Sequence, residues 1–93
     1  MIDERLRLAI WRSHFPEEAP VATDLELEYF ARQFKISGGS IRKIVLNAAF
    51  LAAEEGKPIG PSHLLRATRR EYERMGKPYL VGELSQLRQE APA

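Results

Sequence analysis

The sequence predicts an all-α fold, a small four-helix bundle. Three observations carry this. Apolar residues recur at helical spacing in four separate stretches. Proline, glycine or a capping polar residue bounds each stretch. No period-two alternation runs long enough to make a strand. The chain has 93 residues, room for one domain at most, and its 44% hydrophobic content supports a modest core.

The first predicted helix runs from Asp3 to about His14. Ile2, Leu6, Ala9 and Ile10 share one face, which Leu8 and Trp11 widen. Phe15-Pro16 and the run to Pro20 end it, because proline disfavours helix at its own position and just before it. The second helix starts at Thr23 or Asp24, either of which suits an N-cap. Leu27, Phe30, Ala31 and Phe34 then repeat at i, i+3, i+4, i+7. The third follows the Ser37-Gly38-Gly39-Ser40 turn, with Ser37 or Ser40 as cap. Ile41, Ile44, Val45, Ala48 and Leu51 form its buried stripe. Ala48, Ala49, Ala52 and Ala53 are small enough for close helix packing. Gly56 stops it, with Glu54 and Glu55 at the unfavourable end of the dipole. Lys57 to Gly60 is a short extended connector, and Pro61 suits the first position of a fourth helix. Leu64, Leu65, Thr68, Tyr72 and Met75 line its inner side, and Gly76 ends it. The bundle is expected over residues 1–82, with 83–93 a flexible tail.

Composition excludes several classes of function. There is no cysteine, which rules out a disulfide scaffold or a thiolate zinc site. A net charge of +1 gives no pointer to nucleic acid. No apolar run approaches the roughly 18–20 residues of a membrane span. The charged N-terminal stretch lacks the features of a secretory signal, so a cytoplasmic location is expected. No G-x-x-x-x-G-K-[ST] phosphate loop is present, nor an acidic strand end to hold magnesium. His14 and His63 lie far apart with no companion cysteine, so no metal site is expected. Nothing marks a Ser-His-Asp set, and no catalytic residue is assigned.

Four groups of residues, taken in order, carry a resemblance. These are Arg7-Leu8-Ala9-Ile10-Trp11 with Phe15-Pro16; Asp24-Leu25-Glu26-Leu27 with Phe30-Ala31; Ile36-Ser37-Gly38-Gly39-Ser40-Ile41 with Ala48-Ala49 and Ala52; and Ile59 with His63-Leu64 and Ala67. Over residues 3 to about 82 the chain resembles the C-terminal helical lid of AAA+ ATPases, of the AAA family, central-region type. That resemblance implies one piece of a motor, with Met1 a start codon placed at a domain boundary. The phosphate loop, magnesium ligands and catalytic glutamate would lie in an absent core domain. It further implies that adenine and ribose of ATP or ADP lie between core and lid. By motif, the lid's contacts are Ile10 and His14 from the first helix and Gly38 and Gly39 from the turn. Without the resemblance, Ile10 reads as core, His14 as a complement to the helix dipole, and the glycines as turn formers.

Gly39-Ser40-Ile41-Arg42 also fits the G-x-x-R pattern of a lid arginine that senses the γ-phosphate. The Ile-x-x-x-His branch often lacks a working arginine there, and Lys43 beside Arg42 fits a solvated rim equally well. The fourth helix carries a basic stripe of Arg66, Arg70, Arg74 and Lys77, with Arg69 alongside and offset by Glu73. It reads as a solvated face, or as a contact for an acidic patch on the next subunit of a ring, by family norm a hexamer. Nucleic acid is disfavoured, since no aromatic residues interleave the arginines. By itself the chain is expected to be monomeric, to lack ATPase activity and to hold no bound cofactor. The alternative is a stand-alone helical module that binds protein, or less readily DNA, through the fourth helix.

Overall fold

The computed structural model of the chain describes residues 3–78. Four helices follow in order: α1 (Glu4–Ser13), α2 (Leu27–Gln33), α3 (Gly38–Glu55) and α4 (Pro61–Met75). The fold is an all-α four-helix bundle, as the periodicity predicts. The segment 83–93 assigned as a tail lies outside the described residues. Among the described residues, no helix is long and apolar enough to cross a membrane.

Helix α3 is the spine. It packs against α4 on one side and α1 on the other, and α1 packs against α2. Its predicted stripe is the observed one: Ile41, Ile44, Val45, Ala48 and Leu51 are all buried. Ser37 is the N-cap, its hydroxyl oxygen accepting from the Ser40 N–H at 3.2 Å. Gly56 closes the helix in the left-handed conformation at φ 66°, and Gly76 does the same for α4 at φ 71°. A chain of rings, Trp11 to Phe30 to Phe34 to Tyr72, crosses the core with neighbouring centroids 5.7 to 5.8 Å apart.

Two expectations are corrected. The apolar face assigned to α1 is only partly the buried one: Trp11 is buried and Leu8 and Ile10 pack against the core, but the rest of the face turns outward. Leu6 and Ala9 are exposed and Ile10 is only half-buried, whereas Arg7 and Trp11 point inward. The cause is a hydrogen bond: Arg7 Nε donates to the Ala31 carbonyl at 2.8 Å. Ile2 lies outside the described residues. Helix α2 does not start at Thr23 or Asp24 but at Leu27, with Glu26 as a cap that makes no side-chain hydrogen bond. The preceding residues are drawn into a turn, Leu25 N–H donating to Ala22 O at 3.3 Å.

That turn is held by the connector between α3 and α4. The Ala22 N–H donates to Ile59 O, and the Ile59 N–H to Pro20 O, both at 2.9 Å. Val21 and Ile59 thus form an isolated parallel bridge, and Ile59 is buried beneath it.

Candidate functional site

Of the residues singled out in the sequence, Ile10 and Gly38 meet, where α1 packs against the start of α3. Gly38 and Gly39 are the first two residues of α3, within the helix rather than in a turn before it. Among the described residues only Gly56 and Gly76 have positive φ, so neither Gly38 nor Gly39 is there for backbone reasons. A Cβ built on Gly38 would lie 3.8 Å from Ile10 Cγ2, and one on Gly39 would lie 3.9 Å from Ser37 Oγ. Both are ordinary contacts, so the bundle has room for a side chain at each position.

Ile10 is therefore the direct neighbour of Gly38. His14 sits one turn further along the same face of α1, half-buried, as the C-cap whose N–H donates to Trp11 O at 3.3 Å. The Ser37–Gly39 edge is open: Ser37 and Gly39 are exposed and Gly38 half-buried, with only Ser40 buried behind them. Arg42, one turn after Gly38, is exposed and makes no ion pair among the described residues.

The i+4 series continues along α3 through Leu46 and Phe50, which are 49% and 61% exposed. On α1 the matching series is Leu6, Ile10 and His14, with Leu6 51% exposed. Leu46 and Phe50 on α3, and Leu6 on α1, thus stand as large apolar side chains outside the core, whereas Ile10 packs against it.

Behind the edge lies a polar cluster that sequence reasoning missed. The Glu71 side chain is only 3% exposed, and Arg74 clamps its two oxygens at 2.6 and 3.0 Å. The arginine's hydrogen bonds hold the Glu71 carboxyl below its ordinary value, helped by Ser40 and opposed by burial. The Ser40 hydroxyl also reaches Met75 Sδ at 3.6 Å. Thus the end of α4 supports the start of α3. At the opposite end, His63 Nδ1 accepts the Gly60 N–H at 3.0 Å, so its proton sits on Nε2 and is donated to Glu55 at 2.8 Å. Glu55 also receives Arg66 at 3.1 Å, and the His63 and Arg66 bonds lower its pKa.

The basic stripe of α4 is mostly neutralised. Arg66 is paired with Glu55, Arg74 with Glu71 and Arg69 with Glu73, while Arg70 and Lys77 stay exposed. Among the described residues no group of three or more His, Asp or Glu could hold a metal ion.

No protein-family model matches this chain, and no curated protein matches it.

Proposed function

We propose that this chain is the helical lid of a AAA+ ATPase, closing over the adenine side of ATP or ADP. One observation carries the reading. Gly38 and Gly39 begin a helix with negative φ and with space for a Cβ. Glycine costs about 1 kcal/mol against alanine in a helix interior, and these two stand in the first turn, where alanine would serve as well. The fold does not require it, so the demand for bare backbone comes from something that lies against the edge. Ile10 beside Gly38 offers that ligand an apolar surface, and His14 a polar group at its rim.

The exposed apolar side chains Leu6 on α1 and Leu46 and Phe50 on α3 support the same reading, since a core domain of the same protein would cover them. In the intact ATPase that core supplies the phosphate loop, the magnesium ligands and the catalytic groups. The lid adds adenine contacts, and Arg42, one turn from the glycine edge, is the candidate phosphate sensor. Nucleotide binding then biases the lid angle, and neighbours in a ring, a hexamer in this family, feel the rotation. Arg66, Arg70 and Arg74 remain the candidate subunit contact, with Arg70 the most available of the three because the other two are ion-paired. The same pairing weighs against nucleic acid. The machine works in the cytoplasm, and the chain alone is a monomer without hydrolytic activity.

The reading is tested by substitution at the edge. Gly38→Ala and Gly39→Ala should leave the melting temperature of this chain unchanged or higher. In the intact ATPase each should weaken ADP binding, measured by calorimetry. Unchanged ADP affinity in both variants would overturn the proposal. Coding sequence upstream of Asp3 that lacked a phosphate loop and an acidic Walker B strand would favour the interaction-module alternative instead.

A further inference from the structure

Away from the glycine edge, α2 and α4 enclose a cleft of about 210 Å³. The two helices make no close helix–helix contact, and the cleft fills the gap between their N-terminal ends. Its floor is the buried ring of Phe30, and its walls are Tyr29, Leu65 and Pro61, all half-buried. Asp24 and Glu26, both exposed, form its mouth. Neither carboxylate is in an ion pair among the described residues, whereas Glu28, one turn on, is held by Arg12 at 3.2 Å.

Size narrows the occupant first. Cofactor sites run to about 300–1,000 Å³, so this cleft is too small for a nucleotide and suits a single side chain. Charge narrows it further: two free carboxylates at the mouth repel an anion and attract a cation. The apolar walls favour a side chain with a long hydrocarbon stem below its charge. Arginine fits better than lysine. Its guanidinium is planar and weakly hydrated, it stacks on aromatic faces such as Tyr29, and it binds carboxylates through paired N–H groups.

We propose that this cleft is a receptor for one arginine side chain of a partner polypeptide. The stem lies along Leu65 and Pro61 over Phe30, and the guanidinium meets Tyr29, Asp24 and Glu26. The proposal does not depend on the lid reading, since it uses none of the residues at the glycine edge.

The test is an amide-resolved NMR titration of the full chain with the capped tripeptide Gly-Arg-Gly. Parallel arms use citrulline and norleucine in place of arginine. Saturable shifts confined to Tyr29, Phe30 and Leu65, weakened by added salt, are expected with arginine. Replacing the charge by citrulline should weaken binding about tenfold, the equivalent of two exposed charge contacts. The double variant Asp24→Asn with Glu26→Gln should do the same. Equal shifts from all three peptides would mean a cleft that reads only apolar bulk, and would overturn the proposal. So would shifts that do not saturate or that scatter over the surface. The citrulline arm uses the unaltered chain, so the result stands whether or not the double variant folds.

Discussion

Arg7 lies beneath α2 because its Nε–H donates to Ala31 O, one of the carbonyls left free at the end of a seven-residue helix. The guanidinium thereby turns a polar position inward and leaves Leu6 and Ala9 facing out. Arg7→Ala should destabilise the chain by about 1–3 kcal/mol, since it strands a buried carbonyl. Urea unfolding measures this, and Arg7→Met should recover part of the loss because the stem also packs. Trp11 sits deeper still, fully buried, and its Nε1 has no hydrogen-bond partner among the described residues. Its large ring is the reason to keep it, and Trp11→Ala should lower stability by about 3–5 kcal/mol. Glu71 contributes to the acid limit. Arg74 holds its carboxyl below the ordinary value in the folded chain, so the unfolded chain takes up a proton first as pH falls. The stabilisation is complete above the ordinary carboxylate range and is lost as pH drops through the folded value. An acid titration followed by circular dichroism should show this loss, and Glu71→Gln should make its slope shallower.

Among the elements, α3 was the most legible in sequence. Its apolar stripe and its Gly56 stop were readable, and its cap was narrowed to Ser37 or Ser40, because each is a local signal and all agree. Pro61 and Gly76 marked α4 equally well. What could not be read was set by distant partners. The inward face of α1 depends on a carbonyl 24 residues away, and no local pattern reports it. The late start of α2 depends on the pull of Ile59 on the segment before it, which overrides two good capping residues. At the candidate site, the closeness of Ile10 and Gly38 was expected only through the resemblance, and the helical state of both glycines followed only from the Ser37 choice of cap, not from Ser40. The imidazole bridge from Gly60 to Glu55 escaped too, since its far end lies on α3 and such pairing leaves no periodic trace, whereas the Glu71–Arg74 clamp is an i,i+3 pair within α4 and was open to the same spacing argument that paired Arg69 with Glu73. Two element-level substitutions follow from the caps. Ser37→Ala should destabilise by about 1 kcal/mol through loss of the N-cap. Gly56→Ala should cost about 1–2 kcal/mol, because an alanine is strained at φ 66°. Thermal melts of the single variants read both.

For the molecule as a whole, the exposed apolar side chains Leu46 and Phe50 on α3 are the surface on which the lid proposal places a core domain. Leu46→Ser combined with Phe50→Ser should change the stability of this chain by no more than about 0.5 kcal/mol per site, since neither side chain is in the core. Under the lid proposal, the same pair should loosen the chain from a core domain and depress ATP turnover of the whole protein, which a steady-state phosphate-release assay measures. The proposal then asks how a small ligand at one corner could move every helix together. The coupling of Pro20, Ala22 and Ile59 answers it. Two stretches that would otherwise be independent hinges are tied into one knot at the far side of α3. Their backbone protons should therefore resist deuterium as stubbornly as those of a helix, although they belong to loops. A torque entering through α1 would reach α4 with little lost to bending, so the four rods would tilt as one oar.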